Sequence, residues 1–77
     1  MSVFQEIEIH KNELKILINE SKKNGKNVEK AEKIYTELVN MIEIWKNTHN
    51  ILEFSNEDLV EIFNTANLII KRAKQFI

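Results

Sequence analysis

Residues 54–77 read FSNEDLVEIFNTANLIIKRAKQFI, and their order indicates one long helix with a marked beginning. Ser55 suits the N-cap position, because its hydroxyl can accept a hydrogen bond from the backbone of Asp58 three positions on. Phe54, before the cap, can pack on Leu59 at the fourth helical position. Apolar residues recur at spacings of three and four and predict one buried face, formed by Leu59, Ile62, Phe63, Ala66, Ile69, Ile70, Ala73, Phe76 and Ile77.

The same kind of pattern occurs twice upstream. Ser2 and Gln5 have the spacing of a capping box, and Gly25 is a natural left-handed stop for the helix that they begin. The apolar face of this first helix is predicted to contain Phe4, Ile7, Leu14, Leu17, Ile18 and Ser21. Asn27 is the predicted N-cap of a second helix, whose wider apolar face comprises Val28, Ala31, Ile34, Tyr35, Leu38, Val39, Met41, Ile42, Trp45 and His49.

The chain therefore predicts helices at about 3–24, 28–50 and 56–76. It contains no proline and a single glycine, so nothing interrupts the helix interiors. Short connections place successive helices antiparallel, and we expect an all-α, up-down-up three-helix bundle that occupies residues 1–77 as one domain. The alternative is a homodimeric helical bundle, in which the third helix packs on a partner chain.

Composition excludes several classes of protein. A net charge of −1 offers no overall attraction to nucleic acid or to membranes, and the absence of cysteine excludes disulfides and thiolate sites. The longest apolar runs are short, as at Leu68-Ile69-Ile70, and the first residues lack the pattern of a signal peptide. We expect a soluble, cytoplasmic protein that does not enter the membrane.

Neither histidine has the surroundings of a catalytic or metal-binding residue. His10 lies one turn from Glu6 and from Glu13, but paired metal-binding motifs are missing, and the chain has no glycine-rich phosphate loop. We therefore expect no enzyme activity, no metal and no cofactor. A small-ligand site or an enzyme site in the bundle core is a third possibility, built from Tyr35, Trp45 and His49.

The charges are predicted to separate toward the two ends of an up-down-up bundle. One end collects Lys22, Lys23, Lys26, Lys30, Lys33, Lys71, Arg72 and Lys74, and the other collects Glu6, Glu8, Glu53, Glu57, Asp58 and Glu61. Helix dipoles explain much of this, but they do not explain lysines at the start of the second helix. A basic docking patch for an acidic protein or nucleic acid is predicted at Lys22, Lys23, Lys26, Lys30 and Lys33, although Glu20, Glu29 and Glu32 dilute its charge.

A second set of apolar residues lies off the predicted core faces. Ile9 and Ile16 are seven residues apart, on the side of the first helix opposite its core face. Ile44 lies off the face of the second helix, and Val60 and Leu68 off that of the third. A partner or oligomer interface is predicted at Ile9, Ile16, Ile44 and Leu68.

These features favour a small, non-catalytic protein–protein interaction module. It would act as a regulator, inhibitor, adaptor, immunity-type or antitoxin-type protein that binds and occludes a protein partner, and we expect it to form a homodimer. The alternative function is nucleic-acid binding through the basic end of the bundle, namely Lys22, Lys23, Lys26, Lys30, Lys33, Lys71, Arg72 and Lys74.

Overall fold

The computed structural model describes residues 2–48 and 54–77, and this part of the chain is helical with short connections. Its elements are α1 (Val3–Lys23), α2 (Glu29–Thr48) and α3 (Asn56–Lys74). The three helices pack against one another as in a three-helix bundle. The starts of α1 and α3 are as expected, whereas the end of α1, the start of α2 and the end of α3 differ by one or two residues. The expected end of the second helix near Asn50 lies outside the described residues, as do His49 and Glu53.

The two ends of α1 follow the local rules that its sequence suggests. The Ser2 hydroxyl accepts from the Gln5 backbone N–H at 3.2 Å, and the Gln5 side chain accepts from the Ser2 N–H at 3.0 Å. At the other end Gly25 has φ of 81°, and its N–H donates to the Lys22 carbonyl at 3.1 Å. The next N–H, of Lys26, donates to the Ser21 carbonyl at 3.0 Å, which completes a Schellman turn. The predicted capping box and glycine stop are confirmed.

The starts of α2 and α3 use side-chain oxygens in two ways. Asn27 accepts from the Glu29 N–H at 3.1 Å, but α2 begins at Glu29, one residue later than expected. Ser55 and Asp58 form the predicted reciprocal box, with distances of 3.1 Å from the Asp58 N–H and 3.3 Å from the Ser55 N–H. Each helix start therefore has a polar side chain that satisfies a backbone donor.

The core draws on all three helices. Ala31, Ala66 and Ala73 are fully buried, and small residues of this kind let helices approach closely. The remaining buried hydrophobic residues among those described are Phe4, Ile7, Leu14, Ile18, Val28, Ile34, Leu38, Ile42, Ile62 and Ile70. Half-buried side chains at the margin of this core include Tyr35, Trp45, Phe54, Leu59 and Phe63.

Two residues that were predicted on core faces are exposed. Leu17 is 36% exposed, because at about 100° per residue it lies near the edge of the arc that Leu14 and Ile18 occupy. Phe76 is 40% exposed, because α3 ends at Lys74 and the phenylalanine lies beyond the helix. The Lys30 ammonium covers its ring at 5.3 Å from the centroid.

Four contacts connect particular ends of the helices. Lys46 of α2 pairs with Glu8 of α1 at 3.2 Å, and Lys22 pairs with Glu32 at 3.5 Å. The rings of Phe4 and Phe54 lie 6.1 Å apart, and those of His10 and Phe63 lie 6.5 Å apart. These contacts join α1 to both of the other helices.

The molecule is elongated. Its radius of gyration is 13.4 Å and its principal extents are 44 × 21 × 15 Å, whereas a compact domain of this length has a radius of about 11.5 Å. A thin bundle leaves each helix with a broad outward face. Among the described helices, none has a stretch that is long and apolar enough to cross a membrane.

Candidate interaction surfaces

Outward apolar side chains are the main feature of the described surface. The large hydrophobic residues that are exposed are Ile9, Ile16, Leu17, Ile44, Val60, Leu68 and Phe76. Single exposed aliphatic residues are normal in soluble proteins. Two helices, however, carry a pair of them along one outward face, and neighbouring exposed apolar residues mark candidate interaction sites.

The first pair lies on α1. Ile9 is 43% exposed and Ile16 is 58% exposed, on the side of the helix opposite the buried Ile7, Leu14 and Ile18. Seven residues correspond to about two helical turns, or roughly 10 Å along the axis, so the two side chains lie in one line. We call Ile9 and Ile16 the α1 apolar pair.

The second pair lies on α3. Val60 and Leu68 are 58% and 67% exposed and line a shallow groove on the outward side of the helix. Its other lining residues are Asn56, Glu57, Glu61, Asn64 and Thr65. We call this surface the α3 groove. Its apolar residues, Val60 and Leu68, have the carboxylates of Glu57 and Glu61 beside them at the N-terminal end.

The predicted interface residues are distributed over all three helices. Ile9 and Ile16 lie on α1, Ile44 lies on α2, and Leu68 lies on α3, each directed away from the shared core. Val60, which was not among the predicted interface residues, is the neighbour that Leu68 has in the α3 groove. The two pairs are therefore separate candidate surfaces, and Ile44 belongs to neither.

Five of the eight basic residues predicted at one end of the bundle line two shallow depressions. Lys22 and Lys26 line the first, beside Glu29 and Glu32, and the ion pair of Lys22 with Glu32 spans it. The second brings Lys30, Lys33 and Arg72 together around Ile34, Glu37 and Phe76. Glutamates are present in both, so neither depression is purely cationic. Lys23, Lys71 and Lys74 are exposed but line neither of them.

A third hollow lies along the seam between α2 and α3 and was missed at the level of sequence. Met41 and Trp45 form its α2 side, and the rest is lined by Phe54, Asp58, Glu61, Ile62 and Thr65. The sequence placed Met41 and Trp45 on the core face. Met41 lay at the margin of the predicted apolar arc, and this was the available signal, because marginal residues become half-exposed when a helix has only two neighbours. Trp45 lay within the arc and carried no such signal.

The titratable groups form one cluster between helices, around Glu8. Lys11 donates to Glu8 Oε2 at 2.7 Å, and Lys46 donates to Oε1 at 3.2 Å. The hydrogen bond from Lys11 is the main reason that the pKa of Glu8 lies below its ordinary value; burial opposes this lowering, and Lys46 adds to it. His10 Nδ1 lies 3.7 Å from Glu13 Oε2 on the surface. Within the described ranges, no three acidic, histidine or cysteine residues converge as metal ligands would.

Comparison of the chain with protein-family models, with curated proteins and with solved structures gave no match.

Proposed function

We propose that the protein is a non-catalytic interaction module that binds and occludes a protein partner, in the manner of a regulator, inhibitor, adaptor, immunity protein or antitoxin. The observation that carries this proposal is the α1 apolar pair. Ile9 and Ile16 are exposed on a molecule that already buries an apolar face of every helix. Neither residue belongs to the buried core, and a partner that covered both side chains would remove apolar surface from water.

The helix that carries this pair is held to α2 by two ion pairs, which favours binding. Lys46 holds α1 to α2 near Ile9 through Glu8, and Lys22 does so near the other end through Glu32. A surface on a helix that is fixed at both ends loses little freedom when a partner binds. Occlusion requires no more than this, since the module has only to cover a surface of its partner.

We infer that the helices run up, down and up, as the short connections suggest. Lys46 with Glu8 and Lys22 with Glu32 support opposite directions for α1 and α2. Lys30 above the ring of Phe76 supports opposite directions for α2 and α3. The ring pairs Phe4 with Phe54 and His10 with Phe63 support the same direction for α1 and α3.

The proposal is tested by affinity capture from extracts of the source cells, with wild-type protein and an Ile9→Asp/Ile16→Asp variant as baits. We expect the variant to lose the captured partner, because two carboxylates replace the apolar contact. Its thermal midpoint should stay close to that of the wild type, since both positions face solvent. The captured protein is then purified and its binding measured directly.

The matched control is Asn40→Asp/Asn47→Asp. It adds the same charge at the same spacing on exposed positions of α2. Partner capture should survive this change. A partner that binds the Ile9→Asp/Ile16→Asp variant as well as it binds the wild type would contradict the proposal.

Nucleic-acid binding is the second candidate function, and the grouping of Lys30, Lys33 and Arg72 in one depression favours it. The observation against it is the presence of Glu29, Glu32 and Glu37 among the basic residues. Fluorescence anisotropy with labelled duplex DNA and RNA decides between the two. Binding at low salt that weakens steeply with added salt would support this candidate, and no binding at low salt would exclude it.

Two further expectations from the sequence remain proposals. We propose the cytoplasm as the compartment, since a chain without cysteine gains nothing from an oxidising environment. We also propose that the protein forms a homodimer. The homodimer does not need the α1 apolar pair, which is kept for the partner protein.

A further inference from the structure

Along the outward stripe of α3, the residue types are arranged symmetrically about the centre. Along the helix the stripe reads Glu57, Val60, Asn64, Leu68 and Lys71, at spacings of three and four, and all five residues are exposed. This stripe lies opposite the buried Ile62, Ala66, Ile70 and Ala73. Asn64 is its centre: the two apolar residues lie four positions on either side, and the acid and the base lie seven positions on either side.

A stripe with this order is complementary to the same stripe on a second helix that runs in the opposite direction. When two copies of α3 lie antiparallel about a two-fold axis at Asn64, Val60 of each copy faces Leu68 of the other. Glu57 of each copy then faces Lys71 of the other, and the two Asn64 side chains meet at the axis. A two-fold interface has this property by definition, because residue i contacts residue j and j contacts i.

We propose that the α3 groove is covered by the α3 groove of a second copy of this chain, paired antiparallel and centred on Asn64. This inference deepens the homodimer proposed above by assigning its surface. It makes no use of the α1 apolar pair, so either proposal can fail without the other.

Charge decides in favour of a second copy over an unrelated helix. A basic helix would suit Glu57 and Glu61 at the start of the groove but would meet Lys71 and Arg72 with like charge at its other end. An acidic helix would suit Lys71 and Arg72 but would meet Glu57 and Glu61 with like charge. Only a partner that is basic at one end and acidic at the other, in reversed order, is complementary along the whole stripe, and α3 itself has that order.

The α1 apolar pair lacks this self-complementarity. Reversing α1 about the midpoint between Ile9 and Ile16 places Gln5 against Glu20 and Ser2 against Lys23, so no acid meets a base. Self-pairing through α1 would therefore gain only apolar contact. Opposite charges across an interface fix its orientation and exclude wrong registers, and on this chain the apolar pair of α3 is the one with that property.

The paired stripes are short, which sets the strength of the association. From Glu57 to Lys71 the helix rises about 21 Å at 1.5 Å per residue. Two helix faces of that length lie at or below the small end of the roughly 1,200–2,000 Å² that stable interfaces bury. The dimer should therefore be reversible and dissociate on dilution. The paired Asn64 side chains weaken it but select the register, as a polar residue does in the seam of a coiled coil.

Sedimentation equilibrium of the full chain over a wide concentration range tests the proposal. We expect reversible dimerisation that Leu68→Asp weakens at least about tenfold, since the two-fold axis introduces the charge twice. Asn40→Asp is the control, because it adds the same charge at an exposed position of α2, and it should leave dimerisation unchanged. A monomer at every concentration would overturn the proposal, and so would a dimer that Leu68→Asp leaves intact.

Mixing two charge variants tests the antiparallel register. Glu57→Lys alone and Lys71→Glu alone each place like charges opposite one another and should weaken self-association. An equimolar mixture should recover self-association. In the mixed dimer, positions 57 and 71 of the Glu57→Lys copy are both basic, and they face acidic residues at positions 71 and 57 of the Lys71→Glu copy. Circular dichroism of each variant confirms that helicity is retained. No recovery on mixing, with both variants folded, would overturn the proposed register.

A cysteine crosslink tests the position of the axis, and the natural chain has no cysteine to interfere. Asn64→Cys should form a disulfide-linked dimer under mild oxidation far faster than Asn40→Cys, which is exposed on α2. Equal crosslinking rates for the two variants would place the axis elsewhere and overturn the proposal.

Discussion

Glu8 is the residue that joins α1 to α2 most closely. It accepts hydrogen bonds from Lys11 of its own helix and from Lys46 of α2, 38 positions along the chain. Its pKa is lowered chiefly by the hydrogen bond from Lys11. A carboxyl whose pKa is lower in the folded than in the unfolded chain stabilises the fold above its unfolded pKa. That contribution is lost as the pH falls through the folded pKa.

Glu8→Gln should lower the free energy of unfolding near neutral pH by up to about 1 kcal/mol, the range of partly exposed ion pairs. The difference from the wild type should narrow as the pH falls from the ordinary glutamate value of 4.5 through the lowered pKa of Glu8, because the carboxyl then becomes protonated. Urea unfolding at a series of pH values measures this. Glu20→Gln, at an exposed position of the same helix, is the control. A difference that stays constant with pH would contradict the role of the Glu8 charge.

Gly25 stops α1 because its backbone lies in the left-handed region, with φ of 81°. A side chain there would meet no atom within 4 Å, so any cost of substitution comes from the backbone alone. Gly25→Ala should destabilise the fold by about 1–2 kcal/mol. Asn24→Ala, at an ordinary φ of −82°, should cost less than about 0.5 kcal/mol. Equal effects of the two substitutions on the urea midpoint would contradict this explanation.

At the scale of the helix, local sequence predicted starts more accurately than faces. Ser2, Gly25 and Ser55 act within a few residues of themselves, so their hydrogen bonds follow from spacing alone. The burial of a residue depends on where the neighbouring helices lie. Leu17 is therefore exposed although its spacing fits the apolar stripe, and Ile34 is buried although it lay at the edge of the predicted arc.

Two leucines of α1 allow the dependence of burial on helix packing to be tested. Leu14 is fully buried and Leu17 is 36% exposed. Leu14→Ala should cost about 2–5 kcal/mol of stability, whereas Leu17→Ala should cost less than about 1 kcal/mol. Thermal and urea unfolding of both variants decide the matter. Similar losses would mean that α1 is rotated from its assigned position.

The cap of α3 is tested in the same way. Ser55→Ala removes the oxygen that accepts from the Asp58 N–H and should cost about 1 kcal/mol. Ser55→Asp supplies another good capping oxygen and should retain most of the stability. If the aspartate variant were as unstable as the alanine variant, the hydrogen bond of the cap would not be the cause.

At the scale of the whole molecule, the sequence predicted the class of fold and the presence of surplus apolar surface. It did not predict how that surface is arranged. Ile9, Ile16, Ile44 and Leu68 are exposed and lie on three helices, and their grouping into one interface stays a prediction. The order of chemistry along residues 57–71 was present in the sequence. The structure adds that the residues of the outward stripe are exposed to solvent, and this exposure makes them a candidate interface.

The central claim is that one chain closes its own core and that its outward helix faces are the surfaces that bind. Amide NMR spectra of the isotopically labelled protein, recorded over a dilution series, test this claim most directly. We predict that the amide shifts of Ile7, Ala31 and Leu38 stay constant, while shifts between Glu57 and Lys71 change with concentration. Loss of spectral dispersion on dilution would contradict the claim, because it would mean that the core is completed only by a second chain.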